Sequence, residues 1–131
     1  MDDATARAVA FVVGRLVTGR SSRGLTDRMD GARNGFAGSV TAERVSIYDE
    51  VGRSWVMGES RENGPLCLFS QATGQYVTLA PAGRGGYTGH DHATRQGFDV
   101  LAETGGAIEV IDSDGGTWRR FQLQEPELLA G

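Results

Sequence analysis

Two stretches of this chain repeat one another, and a repeat must fold the same way twice. At a shift of 62 residues, GLTDRMDGARNGF (24–36) falls on GYTGHDHATRQGF (86–98). Gly24/Gly86, Thr26/Thr88, Arg33/Arg95, Gly35/Gly97 and Phe36/Phe98 are identical, and Leu25/Tyr87 and Asn34/Gln96 are similar. At a shift of 63, VSIYDEVGRSW (45–55) falls on IEVIDSDGGTW (108–118). There Asp49/Asp112, Gly52/Gly115 and Trp55/Trp118 match, and Val45/Ile108, Ile47/Val110 and Ser54/Thr117 are conservative. Two blocks in one order, one indel apart, read as a tandem duplication with units 5–62 and 66–124 inside a single domain, 1–131.

The residues kept in both copies are those that turns and packing require: Gly24, Phe36, Asp49, Gly52 and Trp55, with Gly86, Phe98, Asp112, Gly115 and Trp118. Asp-x-x-Gly predicts a corner in which the carboxylate bonds back to the backbone and glycine takes a positive φ. The tryptophan that follows is expected to re-enter a strand and bury its ring. Phe36, Phe98, Ile47 and Val110 are the expected core. His90 and His92 are not kept; the alignment sets Arg28 and Asp30 against them.

Period-two alternation dominates. RVSIYDE and AIEVID alternate apolar and polar positions, and TWRRFQL sets Trp118 on the face opposite Phe121 and Leu123. LCLFSQATGQYVTLA reads as strand, Thr-Gly turn, strand, and it echoes the Tyr48–Trp55 corner, so the hairpin is itself a smaller repeat. Glycine is 20 of 131 residues, about twice the usual ~7%, and is spread along the chain as turns would need. Asp2 offers a helix cap at the N-terminus, but Val9, Phe11, Val12, Val13 and Val17 are β-prone and Gly14 interrupts, so RAVAFVVGRLV is expected to be mainly strand. The tail QEPELLAG is too short for more than one turn of helix. The expected fold is all-β: an antiparallel barrel or sandwich of two tandem pseudo-symmetric units of about five strands each.

Gly86-Tyr87, Gly35-Phe36-Ala37-Gly38, Tyr48-Asp49 and Thr73-Gly74 resemble elements of small bacterial β-repeat proteins, in which G-Y-D-Y, H-F-S-G and Y-D-x-x-T-G recur. Ile111 departs from the pattern where tyrosine would be expected. The resemblance implies a β-repeat fold and carries no activity with it.

All thirteen basic residues are arginine, and the net charge is −4. That balance argues against general nucleic-acid binding. It is uneven: residues 1–65 hold 9 arginines and 9 carboxylates, residues 66–131 hold 4 and 8. Arg15, Arg20, Arg23, Arg28 and Arg33, diluted only by Asp27 and Asp30, are expected to be an ordinary solvated strand-and-turn surface, with a basic patch as the alternative. Cys67, the single cysteine, lies in the apolar run PLCLF and is expected to be buried. No run approaches the ~20 apolar residues of a membrane helix, and the acidic N-terminus is unlike a secretory signal, so the expected setting is the cytoplasm.

The chain has no nucleophile elbow, phosphate loop, paired-cysteine knuckle or dinucleotide fingerprint, and no residue is assigned a catalytic role. His90-x-His92 on a strand puts two imidazoles on one face, but zinc wants a third ligand and none is evident, so a polar turn is the expectation and neither a metal nor a cofactor is assigned. The candidate binding residues are Tyr48, Tyr87, His90 and His92. The sequence thus points to a non-catalytic β module that binds a protein partner or further copies of itself. The competing reading is a small-ligand or metal-dependent protein with its pocket near His90 and His92. With three prolines and no lysine to guard exposed strand edges, self-association through an edge is expected, with RAVAFVVGRLV as the preferred interface strand.

Overall fold

In the computed structural model, which describes residues 1–60, 64–83, 85–113 and 118–125, ten strands close into one barrel around an N-terminal helix. The helix α1 (Asp3–Thr18) is followed by β1 (Gly24–Asp27), β2 (Arg33–Val40), β3 (Arg44–Asp49), β4 (Ser54–Ser60) and β5 (Leu66–Ser70). The wall continues through β6 (Gln75–Gly83), β7 (Gly86–Asp91), β8 (Gln96–Ala102), β9 (Ala107–Asp112) and β10 (Trp118–Leu123). Each strand pairs antiparallel with the next, and β10 pairs with β1 to close the ring. The sequence left barrel and sandwich open; the β1–β10 pairing makes it a barrel. Closure gives every strand a neighbour on both sides and so removes most of the unpaired edge on which the expected edge-to-edge association rested.

The N-terminal segment is the main correction: RAVAFVVGRLV is helix, not strand. Asp2 caps it by accepting from the Thr5 amide at 2.7 Å, and Gly19 ends it in the left-handed region at φ 68°. Ala8 to Gly14 are seven consecutive buried residues, so the helix is enclosed on every side. It stacks Phe11 on Phe36 of β2 with ring centroids 4.5 Å apart, sets Gly14 against Ile108 and Leu123, and sets Ala8 and Val9 against Val56, Leu68 and Val77. The helix therefore threads the barrel lumen. β-propensity at Val9, Val12 and Val13 lost because ten strands leave a lumen wider than side chains alone fill, and a helix satisfies its own backbone there. The small residues Ala6, Ala8, Ala10 and Gly14 let the walls approach. A void of about 10 Å³ remains between α1 and β4–β6, no room for a ligand.

The wall is built from one repeated corner. Asp27, Asp49, Ser70, Asp91 and Asp112 each end an odd-numbered strand, 21 or 22 residues apart. Each lies opposite an inward apolar residue: Phe121, Phe36, Val56, Val77 and Phe98. The next residue of each corner donates its amide to the neighbouring hairpin at 2.9–3.0 Å: Arg28, Glu50, Gln71, His92 and Ser113 to the carbonyls of Arg120, Gly35, Trp55, Tyr76 and Gly97. The carboxylates fold back as expected, with Asp49 Oδ1 accepting from Val51 and Gly52 at 3.0 Å and Asp91 Oδ1 from Ala93 at 3.0 Å. The positive φ is not at Gly52, however, but one residue on, at Arg53 (52°); the equivalent positions are Gly31, Gly74 and Arg95. Gly115 lies outside the described residues.

Asp49 and Asp112 are buried at the barrel end that receives the N-terminus of α1. Arg7 of the helix donates to Asp49 Oδ2 at 3.0 Å, and the Met1 ammonium and Arg119 both stand 3.7 Å from Asp112. Carboxylates at this end complement the positive pole of the helix dipole as well as these cations. The aspartate that recurs at the corners thus has a packing and electrostatic role, and catalysis is not needed to explain it.

The expected core residues Phe36, Phe98, Ile47 and Val110 are buried, with Gly24 and Gly86 at strand starts. The two tryptophans are not core: Trp55 is 42% exposed and Trp118 52%. Both stand on the outer face, because the lumen already holds α1. Cys67 is half-buried and outward-facing between Leu66 and Leu68, not enclosed.

Candidate functional site

The outer wall of β3–β6 carries rows of side chains set by register. In one row, Ser46, Met57, Phe69 and Tyr76 are successive cross-strand partners. In the next, Arg44, Glu59, Cys67, Thr78 and His90 are successive partners from β3 to β7. Tyr48 opposes Trp55 on the other side of the aromatic row. The rings of Tyr48 and Trp55 meet edge-on with centroids 5.3 Å apart, and those of Phe69 and Tyr76 are tilted at 5.2 Å. Such pairs stabilise a sheet face by roughly 0.5–1.5 kcal/mol each beyond their burial.

Pairing does not hide these groups. Met57 is 54% exposed, Phe69 39% and Tyr76 51%. Together with Arg44, Glu59, Cys67, Thr78 and His92 they border a shallow groove of about 1040 Å³. The polar-out alternation expected of a barrel wall in water fails here, over β3–β6, and an aromatic-methionine face replaces it.

The four sequence candidates divide. Tyr48, His90 and His92 face outward on or beside this wall. His90 lies in β7 and His92 opens the turn after it, with ring centroids 4.8 Å apart, edge to face. His92 closes the groove at its β7 end. Tyr87 is elsewhere: it opposes Val100 in the lumen-facing register, half-buried against the core near the far end of the barrel. Burial pushes its phenol above the ordinary tyrosine value.

Counted from the strand ends, the histidines fall beside other residues than the shift of 62 sets against them. Strand ends set Asp91 against Asp27, hence His92 against Arg28 and His90 against Thr26. The first turn is longer and β1 shorter than their equivalents, which a fixed shift of 62 residues conceals. In the five-corner frame His92 occupies a position that is Arg28, Glu50, Gln71 or Ser113 elsewhere: an exposed polar turn residue. Among the described residues, no group of three His, Cys, Asp or Glu side chains is placed to hold a metal ion. No described helix is long and apolar enough to cross a membrane.

Met57 and Phe69 were missed as surface residues. The signal was present in the alternation: Leu66 and Leu68 claim the inward face of β5, which forces Cys67 and Phe69 outward.

Fold and surface together define a closed antiparallel barrel with a central helix and an aromatic outer wall. Comparison with protein-family models, with curated proteins and with solved structures gives no match to this chain.

Proposed function

We propose that the protein is a non-catalytic assembly module whose β3–β6 outer wall packs against the same wall of a second copy. One observation carries this reading: Trp55, Met57, Phe69 and Tyr76 stand together, about half exposed, on one face. Methionine and aromatic residues are the types enriched in protein interfaces, and a face of this kind in water favours burial. The bordering charges suit a copy of the same surface. Arg44 and Glu59 oppose one another on the border of the groove, so a copy of the same surface offers charges of both signs to meet them. The filled lumen supports a role at the surface. Sedimentation velocity tests it: the wild type should move from a 13.9 kDa species to one of about twice that mass with rising concentration. Phe69→Lys, which sets like charges face to face, should stay at the lower mass. A wild type that remains monomeric throughout the micromolar range contradicts the reading.

The groove itself favours a second reading, a small ligand held between Tyr76, Phe69 and His92. Cys67 separates the two. Its alkylation should slow as protein concentration rises if a second copy covers the wall. It should be independent of concentration, and slowed only by added ligand, if the groove is a ligand site.

The self-match is further proposed to reflect two tandem units, 5–62 and 66–124, each assembled from the hairpin that recurs every 21 or 22 residues. Its support is that Asp49 and Asp112 both end strands and that Phe36 and Phe98 oppose them across the neighbouring strand. Kinship with small bacterial β-repeat proteins and a cytoplasmic setting belong to the same proposal.

A further inference from the structure

The barrel wall is split beside β1, and the split is lined with arginine. β1 has four residues against eight in β2, and their register runs only from Gly24↔Gly35 to Thr26↔Arg33. Past Gly35 the ladder ends with the Phe36 amide bonded to the Arg23 carbonyl at 2.8 Å. From there β2 parts from the linker before β1 and leaves a cleft of about 800 Å³. Arg15 reaches it from the helix, Arg23 from the linker and Arg33 from β2, while Glu50 is the one carboxylate on its border. Three guanidinium groups against one carboxylate make this a locally positive site on a chain of net charge −4.

Arg15 is the informative member. It extends from the enclosed helix and donates to the Gly38 carbonyl at 3.2 Å, with its guanidinium 5.7 Å from the Phe11 ring centroid. Its Nε is buried without a hydrogen-bond partner, and burial pushes the group below its ordinary value. A cation at the last turn of a helix complements the dipole, which explains a charge at position 15. That role does not explain why Arg23 and Arg33 border the same cleft. Among the described residues none of the three arginines is in an ion pair. The Arg15 guanidinium, partly withdrawn from water with no counter-charge, favours an anion, and the planar forks of Arg15, Arg23 and Arg33 match phosphate oxygens two at a time. Gly38, on the cleft's border, has a φ of 125°, and a Cβ there would strike the Ser46 carbonyl of β3.

We propose that this cleft binds a phosphate-bearing anion through Arg15, Arg23 and Arg33. The site lies apart from the aromatic wall and does not depend on self-association. The same chemistry is offered by a soluble phosphorylated small molecule and by a phosphorylated lipid headgroup.

Inorganic pyrophosphate is the probe for the soluble source, followed by titration calorimetry at low salt. One saturable site per chain is expected, weakening as salt rises. Arg23→Ala and Arg33→Ala, both at exposed positions, should each weaken it about tenfold, the loss of one charge-assisted contact. Arg28→Ala removes an arginine of the same stretch that does not border the cleft, and binding should be unchanged. Arg15→Gln should weaken binding as well; should that variant not fold, Arg23 and Arg33 decide. Flotation with phosphatidylcholine vesicles containing phosphatidylinositol 4-phosphate tests the lipid source. Flotation lost in Arg23→Ala and Arg33→Ala assigns the headgroup, and pyrophosphate binding without flotation assigns the soluble anion. The proposal is overturned if neither probe binds the wild type, or if Arg28→Ala reduces binding as much as Arg23→Ala.

Discussion

Replacing Phe11 with alanine asks whether the helix is the core of this barrel or an appendage to it. Phe11 is 1% exposed and stacked on Phe36, at 1%, with ring centroids 4.5 Å apart. Buried phenylalanine-to-alanine changes cost ~3–5 kcal/mol, the upper part of the range applying where surroundings cannot collapse. A hydrogen-bonded barrel wall collapses poorly, so a loss of about 4 kcal/mol is expected. Against a total stability of ~5–15 kcal/mol this is a large fraction. At roughly 3–4 °C per kcal/mol for a chain of this size, the melting temperature should fall by about 12–16 °C. Circular dichroism in thermal and urea unfolding measures both, and helix and strand signals should be lost in one transition because α1 cannot leave a closed wall intact. In the cycle with Phe36→Ala the two losses should fall short of additivity in the double variant, since either change alone removes the stacking, worth roughly 0.5–1.5 kcal/mol. A melting point within about 2 °C of wild type would refute the threaded helix.

Asp49→Ala should cost ~3–5 kcal/mol, because it orphans two backbone amides and leaves Arg7 charged and largely enclosed; urea midpoints measure it. Arg53→Gly and Arg95→Gly should each raise the melting temperature by a few degrees, since φ of 52° and 61° strains an arginine and suits the glycine found at Gly31 and Gly74. Tyr87 gives a pH dependence. Its folded-state value is raised, so its contribution is present below the ordinary tyrosine value and is lost as pH rises through the folded one. Urea midpoints should therefore decline above about pH 10, and Tyr87→Phe should flatten that decline.

The strands were legible because alternation and corner glycines are local signals. Val45/Ile47, Ile108/Val110 and Phe121/Leu123 declared their inward face, and Asp49 declared its turn. The helix was not, because its β-prone valines are outweighed by tertiary surroundings that no local window contains. The same missing fact misplaced the tryptophans: with the lumen occupied, Trp55 and Trp118 have only the outside. His90 and His92 drew attention as chemistry, yet only His92 reaches the end of a groove whose substance is Met57, Phe69 and Tyr76. The arginine cleft was visible as a charge cluster, but only Arg15, Arg23 and Arg33 of the five border it. Arg20 instead bonds the carbonyls of Thr104 and Gly105 at 3.2 and 3.4 Å, and Arg28 lies in a turn.

The claim that the β3–β6 wall joins two copies is tested most directly by isotope-filtered nuclear Overhauser spectroscopy on a mixed sample. Half of the chains carry carbon-13 and half do not, so every filtered signal crosses between molecules. The account predicts intermolecular signals from the Met57 methyl and the Phe69 ring to Trp55, Met57, Phe69 or Tyr76 of the other copy, absent in Phe69→Lys. Intermolecular signals confined to another face, or none at a concentration where the wild type sediments as a dimer, would contradict it.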